Sequence, residues 1–225
     1  MKNTTLLNKL LRIEQNGCVN LDPDFLALLA EVKQEVYNEE KTFSSDQKRA
    51  SKKALAFLTK IKKQNKYPFL AYCDFQEVNG SKKQVFTDSY ILFALNTYYK
   101  LPTVEDLKKE TRNENLTYPQ VASMIPNENG FILENAKEKT EDILKKIKSK
   151  QYEKEKPFDS FHTGTYDVYF NVDKLKTIIE ILGTSDLEVN IYGQRKPIKL
   201  TDKKTGNEAI LIPINPIGIE TAAAP

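Results

Sequence analysis

Apolar positions along the chain keep helical and strand periods in turn. Leu6, Leu7, Leu10 and Leu11 recur at helical spacing, and Phe25, Leu29, Val32 and Val36 form a second stripe. Asp22-Pro23 opens that stripe with a cap followed by proline at the first helical position. Residues 1–40 therefore read as a helical hairpin that serves packing or an interaction surface. Ser44-Ser45-Asp46 caps a third helix, predicted to run to Gln64. Its apolar face is Ala50, Ala54, Phe57, Leu58 and Ile61. At about 100° per residue, Lys48, Lys52 and Lys63 fall on the opposite face.

The period then changes. FLAYCDFQEV (69–78), Asn79-Gly80 and KQVFTDSYILFALN (83–96) predict strands joined by a tight turn, since Asn and Gly tolerate positive φ. The second stretch is long enough for two strands with a break at Asp88-Ser89. Residues 100–130 carry Pro102, Pro119 and Pro126 and read as irregular, with Thr103 capping a short helix at 104–110. An amphipathic helix is predicted over 134–150, with Ala136, Thr140, Ile143, Leu144 and Ile147 on one face. KQYEKEKP (150–157) reads as an exposed charged connector.

The last unit is the clearest. TYDVYF (165–170) is a strand, and Asn171 caps a helix with Leu175, Ile178, Ile179 and Leu182 on its apolar face. Gly183 ends that helix. LEVNIYG, PIKLTDK and EAILIPI follow as three strands. The order is β-α-β-β-β, and helix 46–64 with its following strands repeats it apart from the first strand. The pattern predicts an α+β fold built by internal duplication. Half-repeats at 46–100 and 165–214 are joined by a connector at 101–164. A helical extension at 1–43 precedes them, and a disordered tail at 215–225 follows.

Composition narrows the function classes. The chain has 225 residues, 40% apolar and 29% charged, which suits a soluble globular protein. No apolar run is long enough to cross a membrane, and the start lacks the unbroken core of a signal peptide; a cytoplasmic protein is expected. Cys18 and Cys73 suggest neither disulfide nor metal site and read as buried thiols. His162 is the only histidine, with no second His or Cys placed to share a metal. Asp74 and Asp88 are not marked as a catalytic pair, and Asp88 reads as a turn residue. No nucleophile-elbow, phosphate-loop or dinucleotide motif occurs. The expectation is a non-enzymatic chain without metal or cofactor. Net charge is only +3, but lysine concentrates at 48–66, 137–156 and 195–204.

Several stretches together resemble the bacterial DNA sliding clamps, the processivity rings of the replicative polymerase. Phe170-Asn171 and Leu175 resemble the start of the helix in that family's third domain. Pro197-Ile198 resembles its middle strand, and Ile212-Pro213-Ile214 its closing apolar-Pro-apolar stretch. Thr87-Asp88-Ser89-Tyr90-Ile91-Leu92 looks like the family's Thr-Asp-Gly-His-Arg-Leu. Tyr118-Pro119 and Met124-Ile125-Pro126 look like its Phe-Pro…Ile-Pro linker. A clamp chain of that family has three such domains and two chains close the ring, whereas this chain has material for one.

The resemblance implies a clamp-like domain and two binding surfaces. One is a peptide pocket that receives short segments of polymerases and other clients, built here from Thr87, Tyr90, Leu92, Pro119, Met124, Ile212, Pro213 and Ile214. The other is a helical face toward duplex DNA, read through its backbone by Lys48, Lys52, Lys63, Lys174 and Lys176. Encircling DNA with one domain per chain requires a head-to-tail homo-oligomer. A compact variant of this kind suits a phage or mobile element. The rival expectation keeps the clamp fold without ring or DNA, and makes the chain a protein-interaction module that binds or inhibits a host protein.

Overall fold

A computed structural model of the chain describes residues 48–64, 67–97, 99–127, 130–152, 157–183 and 186–215. The predicted hairpin at 1–40, the cap at 44–46, Cys18 and the tail beyond Asn215 lie outside the described residues. Contacts divide the chain into two units, Met1–Lys52 and Lys53–Pro225. Apart from the first described turn of one helix, the elements below belong to the second.

Helix α1 covers residues 48–64. Ala50, Ala54, Phe57, Leu58 and Ile61 are buried, and Lys48, Lys52 and Lys63 are exposed, as the period requires. The stretch read as one strand from 69 differs. Pro68–Ala71 is a short 3-10 turn, because proline fixes its first residue in a helical φ. Strand β1 begins only at Asp74 (Asp74–Val78). Asn79 and Gly80 turn with φ of 50° and 73° into β2 (Ser81–Thr87), and the break at Asp88-Ser89 leads to β3 (Ile91–Asn96). Helix α2 (Val104–Thr111) starts at Thr103 in a reciprocal capping box with Asp106.

Strand β4 (Phe131–Ile132) was not expected. Helix α3 (Ala136–Lys148) is two residues shorter at each end than its pattern suggested. A second unexpected strand, β5 (Phe158–His162), pairs with β6 (Asp167–Asn171) as a separate hairpin. Asn171 then caps α4 (Val172–Leu182), its side-chain oxygen accepting from the N–H groups of Asp173 and Lys174. The chain closes with β7 (Leu187–Ile191), β8 (Ile198–Asp202) and β9 (Asn207–Leu211).

Seven strands form one antiparallel sheet in the order β1-β2-β3-β9-β8-β7-β4. The two predicted meanders, β1-β2-β3 and β7-β8-β9, therefore join edge to edge at a β3·β9 seam. Register carries one buried row across that seam: Phe86, Phe93, Ala209, Leu200 and Val189 are direct neighbours, each at most 1% exposed. Phe86 and Phe93 stack at 4.9 Å, and Phe57 of α1 meets Phe93 edge-on at 5.5 Å. Burying each such ring contributes roughly 1.5–3 kcal/mol. Helix α4 adds Leu175, Ile178, Ile179, Ile181 and Leu182 to the core, and its Glu180 accepts from Lys53 of α1 at 2.9 Å. Period two then fixes the opposite face, where Thr87, Leu92, Ile210, Lys199 and Asn190 form the matching row. That row starts apolar and ends polar.

Candidate functional site: an apolar cavity on the open face of the sheet

The apolar end of the second row is a floor. Thr87, Leu92 and Ile210 line a cavity of about 380 Å³. One wall is Pro119, Val121 and Met124 from the connector. That segment, which includes a 3-10 turn at Ala122–Met124, is tied to β1 by one side chain. Gln76 Nε2 donates to the Pro119 carbonyl at 2.7 Å, and its Oε1 accepts from Ala122 N–H at 3.0 Å. A second wall is Tyr67, Phe69 and Leu70, and Phe69 meets buried Tyr118 edge-on at 6.2 Å. The Tyr118 hydroxyl is buried beside the Thr87 backbone, and burial raises its pKa. The third side is Ser89-Tyr90 with Ile212.

The turn that carries Tyr90 is tightly tied. Thr87 Oγ1 donates to the Ile91 carbonyl at 2.7 Å and accepts from Ser89 N–H at 2.9 Å. Asp88 Oδ1 accepts from Tyr90 N–H at 3.0 Å and Ile91 N–H at 2.8 Å, the turn role expected of it. Ser89 sits at φ 76°, a conformation that favours glycine. On the far side Ile212 N–H donates to the Tyr90 carbonyl at 3.1 Å. Lys174 of α4 donates to Asp88 Oδ2, and its Nζ lies 4.9 Å from the centre of the Tyr90 ring.

Six of the eight expected peptide-binding residues therefore meet in one cavity: Thr87, Tyr90, Leu92, Pro119, Met124 and Ile212. Pro213 and Ile214 do not. They face a smaller hollow with Tyr169, Gln194 and Arg195, where the chain has left β9 and Ile214 N–H donates to the Tyr169 carbonyl of β6 at 2.9 Å. Tyr67, Phe69, Leu70, Val121 and Ile210 were not anticipated. Phe69 and Leu70 sat inside a presumed strand and Tyr67 just before it, although the density of aromatic and apolar residues before Asp74 was a usable signal. Three of the seven large apolar or aromatic side chains that stand exposed among the described residues line this cavity: Tyr67, Tyr90 and Met124. Exposed apolar groups gathered at one concavity mark a binding surface.

The lysines separate. Lys48, Lys52 and Lys63 stand exposed on α1 and Lys176 on α4. Lys174, expected on the DNA face, donates to Asp88 and lies against the Tyr90 ring. The outer positions of α4 also include Asp173 and Glu180, so that helix does not present a basic strip.

Other candidates have quiet surroundings. His162 ends β5 rather than lying in a loop, with Nδ1 3.1 Å from Asp167 Oδ1. Cys73 is fully buried, and burial pushes its thiol up to about 12. Among the described residues no cluster of three His, Cys, Asp or Glu could hold a metal, and no helix is long and apolar enough to cross a membrane.

No protein-family model matches the chain, and no curated protein sequence matches it. Solved structures do. The sliding clamp of Bartonella birtlesii bound to griselimycin is 13% identical, with 66% of this chain and 59% of that chain covered at a TM-score of 0.47. The beta subunit of the Streptococcus pyogenes DNA polymerase is 10% identical (72% and 64% covered, TM-score 0.49). The H. pylori beta clamp in complex with diflunisal is 16% identical (75% and 64% covered, TM-score 0.48). The chain thus spans less than two thirds of the length of the clamps it matches, at identities where only chain path is compared.

Proposed function

We propose that this chain is a clamp-like, non-enzymatic accessory of DNA replication or DNA metabolism that docks a short apolar segment of a client protein in the cavity beside β3 and β9. The observation that carries the reading is convergence. Four stretches far apart in sequence, at 67–70, 87–92, 119–124 and 210–212, supply the walls of one apolar cavity. Three of the four contain residues of the motifs that resemble the clamp family. An apolar groove with a polar margin holds a short peptide by a few large side chains, and methionine at the rim adapts to varied partners.

Fluorescein-labelled, end-blocked hexapeptides with two, one or no leucine or phenylalanine side chains test this by anisotropy. Affinity is expected to rise with each large side chain. Met124→Lys is expected to weaken the best peptide at least about tenfold, a change of about 1.4 kcal/mol. Its thermal midpoint stays put, since Met124 is 51% exposed. Equal binding of all three peptide classes, or an unchanged affinity in Met124→Lys, rules the cavity out.

A second reading rests on α1, where Lys48, Lys52 and Lys63 are all exposed. Long cations on one helix suit contact with a phosphate backbone. On that reading the chain binds a short duplex with an affinity that falls with salt. Lys52→Glu with Lys63→Glu flattens the salt slope by about two charges' worth. A salt-independent affinity, or none, leaves the protein-docking role alone.

A further inference from the structure

Lys174 is half-buried, and its position is specific. Its ammonium is bonded to Asp88 and lies 4.9 Å from the centre of the Tyr90 ring. Tyr90 lines the cavity yet is 60% exposed, which puts its ring at the mouth. Its backbone cannot move easily. Asp88 Oδ1 accepts the Tyr90 N–H on one side, and Ile212 donates to the Tyr90 carbonyl on the other. What freedom remains at this residue is rotation of the side chain. Lys174 sits where it can set that rotation, and the same carboxylate that fixes the turn fixes the ammonium.

We infer that Lys174 is a positioning residue of the cavity, and that the Lys174–Tyr90 pair is a side-chain gate on its mouth. The ammonium attracts the negative face of the ring and holds it in one orientation. An occupant enters by displacing the ring from Lys174, while the turn and sheet stay in place. Lys174 lies on the helix that precedes β7-β8-β9 and Tyr90 on the turn between β2 and β3, so the gate ties the mouth of the cavity to the first turn of α4. Its consequence for binding rests on the docking reading above; the ring's orientation does not.

The chain contains no tryptophan, so Tyr90→Trp places a single indole at the gate. In that background, acrylamide quenching of the indole reads its freedom without any ligand. Lys174→Met is expected to raise the quenching constant roughly twofold or more. Lys174→Arg, which stacks on rings and pairs with carboxylates, restores the parent value. With the two-leucine hexapeptide, stopped-flow association to Lys174→Met is expected to be about two- to fivefold faster, the worth of one exposed cation–ring contact. If Lys174→Met does not fold, Asp88→Asn keeps the turn's acceptor oxygen and releases the ammonium, and the same rise in quenching is expected. Equal quenching in the parent and the Met or Asn variant overturns the gate. A changed quenching constant with no peptide bound by any variant leaves the gate standing and overturns the docking reading instead.

Discussion

The two halves of the sheet use the same turn for different ends. In each, the middle strand finishes on Thr-Asp: Thr87-Asp88 after β2 and Thr201-Asp202 in β8. In each, the aspartate caps the turn that follows. Asp88 Oδ1 accepts from Tyr90 and Ile91 N–H, and Asp202 Oδ1 accepts from Lys204 N–H. The second oxygens part company. Asp202 Oδ2 accepts from Thr205 Oγ1, within its own turn. Asp88 Oδ2 accepts from Lys174, eighty-six residues away on the helix of the other half. The Asp202 carboxylate bonds only within its own turn, whose Thr205 and Gly206 carbonyls accept from Asn96 and Lys83, whereas the Asp88 carboxylate itself reaches a distant element beside a cavity. The two halves thus share a scaffold of one helix and three strands. The difference comes from what packs against it, since only the first turn has the 119–124 segment and Ile212 alongside.

The helices diverge in the same way. Outer positions of α1 are basic at Lys48, Lys52 and Lys63, while α4 offers Asp173, Lys176 and Glu180. Two helices in matching positions therefore present different potentials.

The buried row common to both halves carries the largest expected effect. Phe93 is fully buried at the seam and touches both Phe86 and Phe57. Phe93→Ala is expected to cost about 3–5 kcal/mol in urea unfolding. A loss under about 1 kcal/mol would mean that the halves do not share one core. Next come the two aspartates. Asp88→Ala removes the acceptor of two N–H groups and the partner of Lys174, and is expected to cost about 2–3 kcal/mol. Asp202→Ala, whose partners are local, costs about half as much; equal costs would erase the distinction drawn between the turns.

A smaller effect separates the halves by pH. Lys203 and Asn190 hydrogen-bond to Glu188 of β7 and hold its carboxyl below the ordinary value of 4.5. A depressed folded value means stability that is present above 4.5 and lost as pH falls through the lowered value. Glu188→Gln is expected to flatten the acid limb of a thermal-midpoint curve slightly, because its partner Lys203 is largely exposed and water screens the pair. An unchanged limb would remove Glu188 from the acid response. The smallest change is Ser89→Gly. Ser89 holds φ at 76°, and glycine relieves that strain, so a gain of at most about 1 kcal/mol is expected. A clear loss would show that the serine side chain supports the turn.

Much of the scaffold was legible along the chain, and the particular residues show why. Asn79-Gly80, the Thr103 cap, the Asn171 cap and the Asp88-Ser89 break are local signals, decided by residues within four positions of one another. The apolar stripe of α1 and the alternation of β7 to β9 are equally local. Strands β4 and β5 were invisible. β4 has two residues and exists because Phe131 pairs with Ile191, at a place where Gly130 leaves no room for a Cβ against the Ile191 carbonyl. β5 is defined by its partner β6 more than by its own pattern. Residues 69–71 form a turn and not a strand because a run rich in aromatic and apolar residues fits both, and Pro68 chose the turn.

The sequence by itself determined which residues turn inward and where most elements start and stop, since periodicity and capping are set by near neighbours. It also marked most of the cavity's residues through motifs resembling a known family. Long-range packing alone set that the two meanders share a seam, that Gln76 ties the connector to β1, that Pro213 and Ile214 face elsewhere, and that Lys174 meets Asp88 and Tyr90. Each of these depends on a pairing between residues far apart in the chain. The energy of such a pairing appears only when folding brings the partners within a few ångströms, and no local pattern encodes it.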